Sequence, residues 1–219
     1  MSERIAAKEL PVSEILSEHY SFEMPSYQRP YAWTTEECGQ LLEDLLDFYK
    51  NTEKLNQTPI ENYFLGSIVL VKKEEDPRSL VVDGQQRLTT LTILISAIAS
   101  LLQPEKTRHF EKYLKQEAND LIGYPESPRI KLRDKEQKFF EDYIVSHDLK
   151  GLEKDTSENV SEGIVNLRNN SLLTKKFLKE KFKNRDAIFE FSKFIMKNCY
   201  LVVVTTIDED SAFRIFSVL

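Results

Sequence analysis

Between Leu88 and Pro104 the chain carries no charged residue. That run is shorter than the ~20 apolar residues a membrane span needs, and Thr89, Thr90, Thr92, Ser96 and Ser100 interrupt it. A helix without a polar face must be enclosed by the rest of its protein. Leu88–Leu102 is therefore expected as a central helix, with the other elements arranged around it. Just upstream, SLVVD (Ser79–Asp83) reads as a strand rich in β-branched residues. YFLGSIVLVK (Tyr63–Lys72) reads as its partner across the turn KEEDPRS, so the two are expected to form a hairpin.

The handover from strand to central helix reads DGQQR (Asp83–Arg87). Asp83 is a favoured N-cap, and Gln86 three positions on completes a capping box. Gly84 eases a tight turn. Arg87 does not suit a simple helix start. A cation in the first turn faces the positive end of the helix dipole, which costs about 0.3–1 kcal/mol when exposed. An anion at that position reverses the sign. Free N–H groups at Gly84–Gln86, a glycine that permits close approach and an arginine together make a phosphate cradle. Helix start and anion site both stay open on these residues. The Walker pattern GxxxxGK[ST] is absent.

SYQRPYAW (Ser26–Trp33) poses a parallel question. Arg29 precedes Pro30 and is biased to an extended backbone. Gln28 and Arg29 lie between Tyr27 and Tyr31. Either this is an aromatic-packed loop with Arg29 stacked on a ring, or it is a second clamp, arginine to phosphate and tyrosine to base. Thr34 and Glu37 form a capping box for a helix Thr35–Lys50, with Trp33 and Cys38 as its hydrophobic staple.

The remaining elements follow the same signals. Residues 4–24 are expected to form a strand, a short helix Val12–Ser17 and a strand Tyr20–Met24. Asn51–Ile60 reads as a polar loop. Charged helical patterns cover Thr107–Ile122, Arg133–Ser146, Ser161–Lys183 and Arg185–Lys197, with a polar loop at Lys150–Glu162. Leu201–Asp208 reads as a strand returning to the early sheet, and DSAFRIFSVL as a helix that stops without a C-cap, so the chain is expected to be a fragment of something longer. The expected fold is α+β: a small mixed sheet with a helical insertion. Its parts are a core over 1–105, a helical subdomain over 106–197, and a return strand and truncated helix over 198–219.

Composition narrows the function classes. With 41% hydrophobic and 30% charged residues, the chain can build a core without metal or disulfide staples. Cys38 and Cys199 form no CxxC, and His19, His109 and His147 show no ligand spacing, so no metal ligand is assigned. The N-terminal MSERIAAKEL lacks the apolar stretch of a signal peptide. Reduced thiols and a cytoplasmic location are the expectation. The net charge of −6 means that any nucleic-acid contact needs a local basic patch. Candidates are PRIKLRDKEQK (Pro128–Lys138), with five basic and two acidic residues, and LLTKKFLKEKFKNR (Leu172–Arg185), with six and one. Solvated helix faces explain such runs more often than not, and DNA-backbone contact is the alternative.

PSYQRPYAW, FLGSIVL, VVDGQQRLTTL and AFRIFSVL, in this order and spacing, resemble the N-terminal domain of GmrSD-type, modification-dependent (type IV) restriction enzymes, a family that includes SspE-type anti-phage proteins. The resemblance implies a core like that of ParB and sulfiredoxin, where a glycine-and-arginine segment before a helix binds nucleotide phosphates. It implies a nucleotide loop of Asp83, Gly84, Gln85, Gln86 and Arg87. Gln85 and Arg87 would act on the triphosphate, and Asp83 would either hold a metal-bound water or only cap the helix. Gln28 and Arg29 would form the matching upstream loop, lined by Tyr27 and Tyr31. The implied ligand is a nucleoside triphosphate of unspecified base, with Mg²⁺ as candidate companion. The implied partners are DNA, including modified phage DNA, and a C-terminal nuclease domain or partner subunit; a homo-oligomer stays open and no membrane is expected. The family's HNH-type nuclease is absent from this chain, so it is not expected to cut DNA by that route. The leading expectation is a nucleotide-binding, NTP-hydrolysing regulatory module of a DNA restriction protein. The alternatives are a non-enzymatic sensor of DNA or its modified backbone, and an interaction scaffold in which DGQQR is purely structural.

Overall fold

The hairpin expected around KEEDPRS forms the middle of a six-stranded mixed sheet. A computed structural model describes residues 5–54, 61–74, 76–118, 121, 125–158 and 160–216. In chain order the elements are β1 (Ala6–Pro11), α1 (Val12–Ile15), β2 (Ser21–Glu23), α2 (Thr35–Lys54), β3 (Tyr63–Lys72), β4 (Arg78–Asp83), α3 (Gln85–Leu101) and α4 (Pro104–Leu114). There follow β5 (Lys115–Gln116), β6 (Ser127–Pro128), β7 (Ile130–Lys131), α5 (Asp134–Phe139) with a π-helical continuation Phe140–Val145, α6 (Leu149–Leu152), α7 (Glu162–Lys181), α8 (Arg185–Asn198), β8 (Cys199–Thr206) and α9 (Glu209–Phe216). The sheet order is β1-β8-β3-β4-β2-β7, and β5 pairs with β6 apart from it. The fold is thus α+β with a mixed sheet.

Alternation along the strands separates two faces. Ile68, Leu70, Val81, Leu201 and Val203 point into the main core, while Val69, Val82 and Val204 point the other way and meet Ala212 of α9. Most of α3 is buried, as its sequence demands, and α7 packs along it. The hydroxyls of Thr90 and Thr92 stay satisfied inside by bonding back to the carbonyls of Gln86 and Leu88, at 2.9 and 3.0 Å. Cys38 and Cys199 are buried free thiols. Burial pushes the Cys38 thiol up to about 11, which leaves it protonated and unreactive.

Several boundaries differ from expectation, each for a local reason. The Thr34–Glu37 capping box forms, with the Thr34 N–H on the Glu37 carboxylate at 2.8 Å. The helix it starts runs on to Lys54, into the expected loop, whose remainder lies outside the described residues. The helix expected over Thr107–Ile122 starts earlier, with Pro104 in its first turn, and gives way at Lys115 to β5. The expected loop Lys150–Glu162 begins with a helical turn, α6, because Asp148 accepts the Gly151 N–H at 2.9 Å. Ser161 caps α7 and Asn184 caps α8.

Candidate functional site

β2 and β4 are parallel neighbours, with Phe22 opposite Ser79. Their C-terminal ends therefore lie side by side, which is where open sheets usually hold ligands. The loop after β2 carries Tyr27–Trp33, and the turn after β4 carries Gly84. Strand direction thus brings sequence-distant motifs to one place.

Gly84 is required at its turn. Its φ is 91°, and a Cβ there would stand 2.3 Å from Cγ2 of Ile68. It is also the N-cap of α3, in the left-handed conformation and without a side-chain cap. The capping box expected between Asp83 and Gln86 does not form. Longer-range bonds win instead. Gln86 Oε1 accepts the N–H groups of Ala32 and Trp33 at 2.7 and 3.1 Å, and its Nε2 donates to the Pro30 carbonyl at 3.2 Å. Gln85 Nε2 donates to the Arg29 carbonyl at 2.9 Å, while its Oε1 is shut off from solvent without a partner among the described residues. Gln28 Nε2 reaches back to the Val82 carbonyl at 2.8 Å. The three glutamines latch the loop to the start of α3. Among the described residues, no side chain accepts from the first-turn N–H groups of α3.

Gln28, Arg29, Trp33, Asp83, Gly84, Gln85, Gln86 and Arg87 line a shallow cleft of about 210 Å³. Arg29 is exposed and Arg87 half-buried, with Nη1 of Arg87 donating to the Ser67 carbonyl at 2.9 Å. The cleft thus joins two guanidiniums, one carboxylate and a helix N-terminus. Pockets that engulf a whole small molecule run to about 300–1,000 Å³, so this one has room for phosphate groups with the remainder of a ligand outside.

The two tyrosines part company. Tyr31, expected to line the loop's site, is turned into the core at 2% exposure. Its hydroxyl meets Thr90 Oγ1 at 2.7 Å and accepts from Asn170 Nδ2 at 2.8 Å, and burial pushes the phenol far up. Tyr27 stays 54% exposed, with its ring 5.9 Å from that of Phe213 and its hydroxyl on Glu209 at 3.3 Å. Partial burial and the Glu209 carboxylate both raise its phenol.

Residues given no role in the site from sequence also shape it. Trp33 lines the cleft. Asn170 Nδ2 also holds the Trp33 carbonyl at 2.8 Å, Asn166 Nδ2 holds that of Tyr31 at 3.4 Å, and Arg133 holds that of Gln28 at 3.0 Å. Two asparagines four apart on the buried face of α7 are the signal that could have revealed this. The two basic stretches are not continuous patches. Lys175 is buried, with Nζ on the Leu149 carbonyl at 3.0 Å and on Glu153 at 2.9 Å. Arg129 is likewise enclosed. Among the described residues no cluster of three or more His, Cys, Asp or Glu could hold a metal ion. No helix among them is long and apolar enough to cross a membrane.

Comparison with known proteins agrees with the resemblance carried by the motifs. A family model described as the GmrSD restriction endonuclease, N-terminal domain, matches residues 12–219. An uncharacterized protein of Methanocaldococcus jannaschii, MJ0686, is 35% identical over 77 residues, covering 31% of this chain and 13% of that protein. The chain thus matches only a small part of that relative's length.

Proposed function

Because the chain belongs to the GmrSD restriction endonuclease N-terminal domain family, we propose that it is the nucleotide-binding, NTP-hydrolysing regulatory module of a modification-dependent DNA restriction protein. The observation that carries the reading is the Asp83–Arg87 cleft: an uncapped helix start with a glycine at its entry and two arginines in its wall. Phosphoryl transfer needs positioning and charge stabilisation more than covalent chemistry. Backbone N–H groups at the start of α3 take phosphate oxygens, and Arg87 and Arg29 balance their charge. Gln85, Gln86 and Gln28 hold the cleft walls at fixed separation. Trp33 in the cleft wall and Tyr27, next to Gln28 and exposed, are the aromatic surfaces offered to a base lying outside.

Mg²⁺ suits this donor set. It keeps several waters and takes one or two carboxylates together with substrate phosphates, and Asp83 is the carboxylate in the cleft wall. Bound there, the ion would neutralise triphosphate charge. DNA and the nuclease that acts on it are the partners in this reading, with nucleotide state setting whether cleavage is licensed.

The test is calorimetric titration of the chain with each of the four ribonucleoside triphosphates in Mg²⁺, followed by phosphate-release assays. Saturable binding that inorganic tripolyphosphate competes away is expected. Failure of all four to bind would overturn the reading.

A further inference from the structure

The pairing of β3 with β8 loses register between Phe64 and Ser67. Gly66 lies in that irregularity with φ at 100°, a conformation that favours glycine. A Cβ on Gly66 would stand 3.1 Å from both Cζ and Nη2 of Arg87 and 3.4 Å from Nη1. The guanidinium therefore lies against bare backbone. The next residue supplies the second contact, since Nη1 donates to the Ser67 carbonyl at 2.9 Å. One bulge thus fixes both the plane of the guanidinium and one of its edges. A guanidinium has five N–H groups in a rigid fork, and Arg87 also lines the cleft.

We propose that Gly66 and Ser67 are positioning residues for Arg87: the bulge holds the guanidinium flat so that its remaining N–H groups are presented to a phosphate in a set orientation. The inference rests on the phosphate reading of the cleft. Long flexible side chains lose rotamer freedom on binding, and a guanidinium already held in place loses less. A glycine needed only to shape the bulge would act on stability without regard to what stands at position 87. The two roles separate in a double-mutant cycle.

The experiment titrates inorganic tripolyphosphate into the wild type, Gly66→Ala, Arg87→Lys and the double variant, with thermal melts alongside. Gly66→Ala is expected to weaken binding by about 10- to 100-fold, the value of an oriented charge-assisted bond. The double variant should bind no worse than Arg87→Lys alone, because an ammonium does not lie across the glycine. Losses that add would overturn the proposal. Should Gly66→Ala fail to fold, Gly66→Asn brings the same Cβ on a residue that tolerates positive φ. A separate readout is the Arg87 guanidinium N–H resonances. Restricted rotation in the wild type that is lost in the Gly66 variant supports positioning; identical spectra overturn it. If the wild type binds no tripolyphosphate, the phosphate reading falls, and the resonances alone decide whether the bulge positions the arginine.

Discussion

Two arginines lie beside the same sheet, one just before β7 and one in the first turn of α3, and meet opposite fates. Arg129, just before β7, is 4% exposed; its Nη1 and Nη2 donate to the carbonyls of Tyr20, Lys112 and Lys115 at 3.3, 2.9 and 3.4 Å, and its Nε has no partner among the described residues. Burial pulls its pKa down, with Glu18 opposing. Arg87, just after β4, gives one bond to a carbonyl and stays half-open at a cleft. The first arginine closes a gap between β2, α4 and β5. The second has N–H groups that its one carbonyl bond leaves unoccupied. Residue type and a place beside the sheet are shared, so what distinguishes the two arginines is how many N–H groups the protein itself satisfies. Lys175 repeats the lesson: it belongs to a basic stretch yet is enclosed by Leu149 and Glu153.

The largest expected effect sharpens that contrast. Arg129→Ala strips three carbonyls of their donor and should cost about 2–4 kcal/mol of stability, while the folded fraction still binds triphosphate normally. Urea melts with parallel titrations check both halves. A stable Arg129→Ala protein with lost binding would reverse the roles assigned to the two arginines.

A smaller effect concerns a third arginine, Arg168, which is neither carbonyl-bound throughout nor open. It pairs with Asp155 at 2.7 Å. Bonds from Ser157, joined by Arg168, hold the Asp155 carboxyl down at about 2. A depressed folded-state pKa stabilises above the unfolded value of about 3.9 and ceases to do so as pH falls through the folded value. The wild type should therefore lose stability between roughly pH 4 and 2 more steeply than Asp155→Asn. Denaturant melts at pH 5 and 3 measure this, and equal slopes in the two proteins would remove the pair from the account.

The smallest expected effect lies on α7. Lys176 and Lys179 are exposed, unlike Lys175 beside them. Reversing both to Glu should change stability by no more than about 0.5 kcal/mol and leave triphosphate affinity unaltered. A DNA-retention assay on the same variant asks whether this face carries a salt-dependent footprint. Loss of DNA binding there would give the basic stretch a role that the cleft reading does not.

The sequence made some levels legible and hid others. The central helix, the hairpin and the Thr34–Glu37 cap follow from local rules, because each depends on neighbours within a few residues. A second clamp at Tyr27–Trp33 is one of two readings the residues leave open, and the family resemblance favours pairing it with Asp83–Arg87; strand direction is the physical reason that the two segments meet. The glutamines were opaque. A Gln at the third helical position suits a capping box, but Gln86 finds three backbone partners more than 50 residues away, and tertiary bonds of that kind leave no local signal. Tyr31 was misread for the same reason, since its partners Thr90 and Asn170 arrive from α3 and α7. Gly66 passes in sequence for a weak point in a strand. Only the approach of Arg87 gives it a purpose.

The central claim is that Arg87 is present for phosphate. The direct measurement is calorimetric titration of triphosphate in Mg²⁺ into the wild type and Arg87→Ala, with thermal melts of both. Removing one partly exposed carbonyl bond should cost less than about 1 kcal/mol of stability, while triphosphate binding disappears. A variant that binds as the wild type does, or that loses binding only because it has unfolded, would contradict the account and return DGQQR to the start of a core helix.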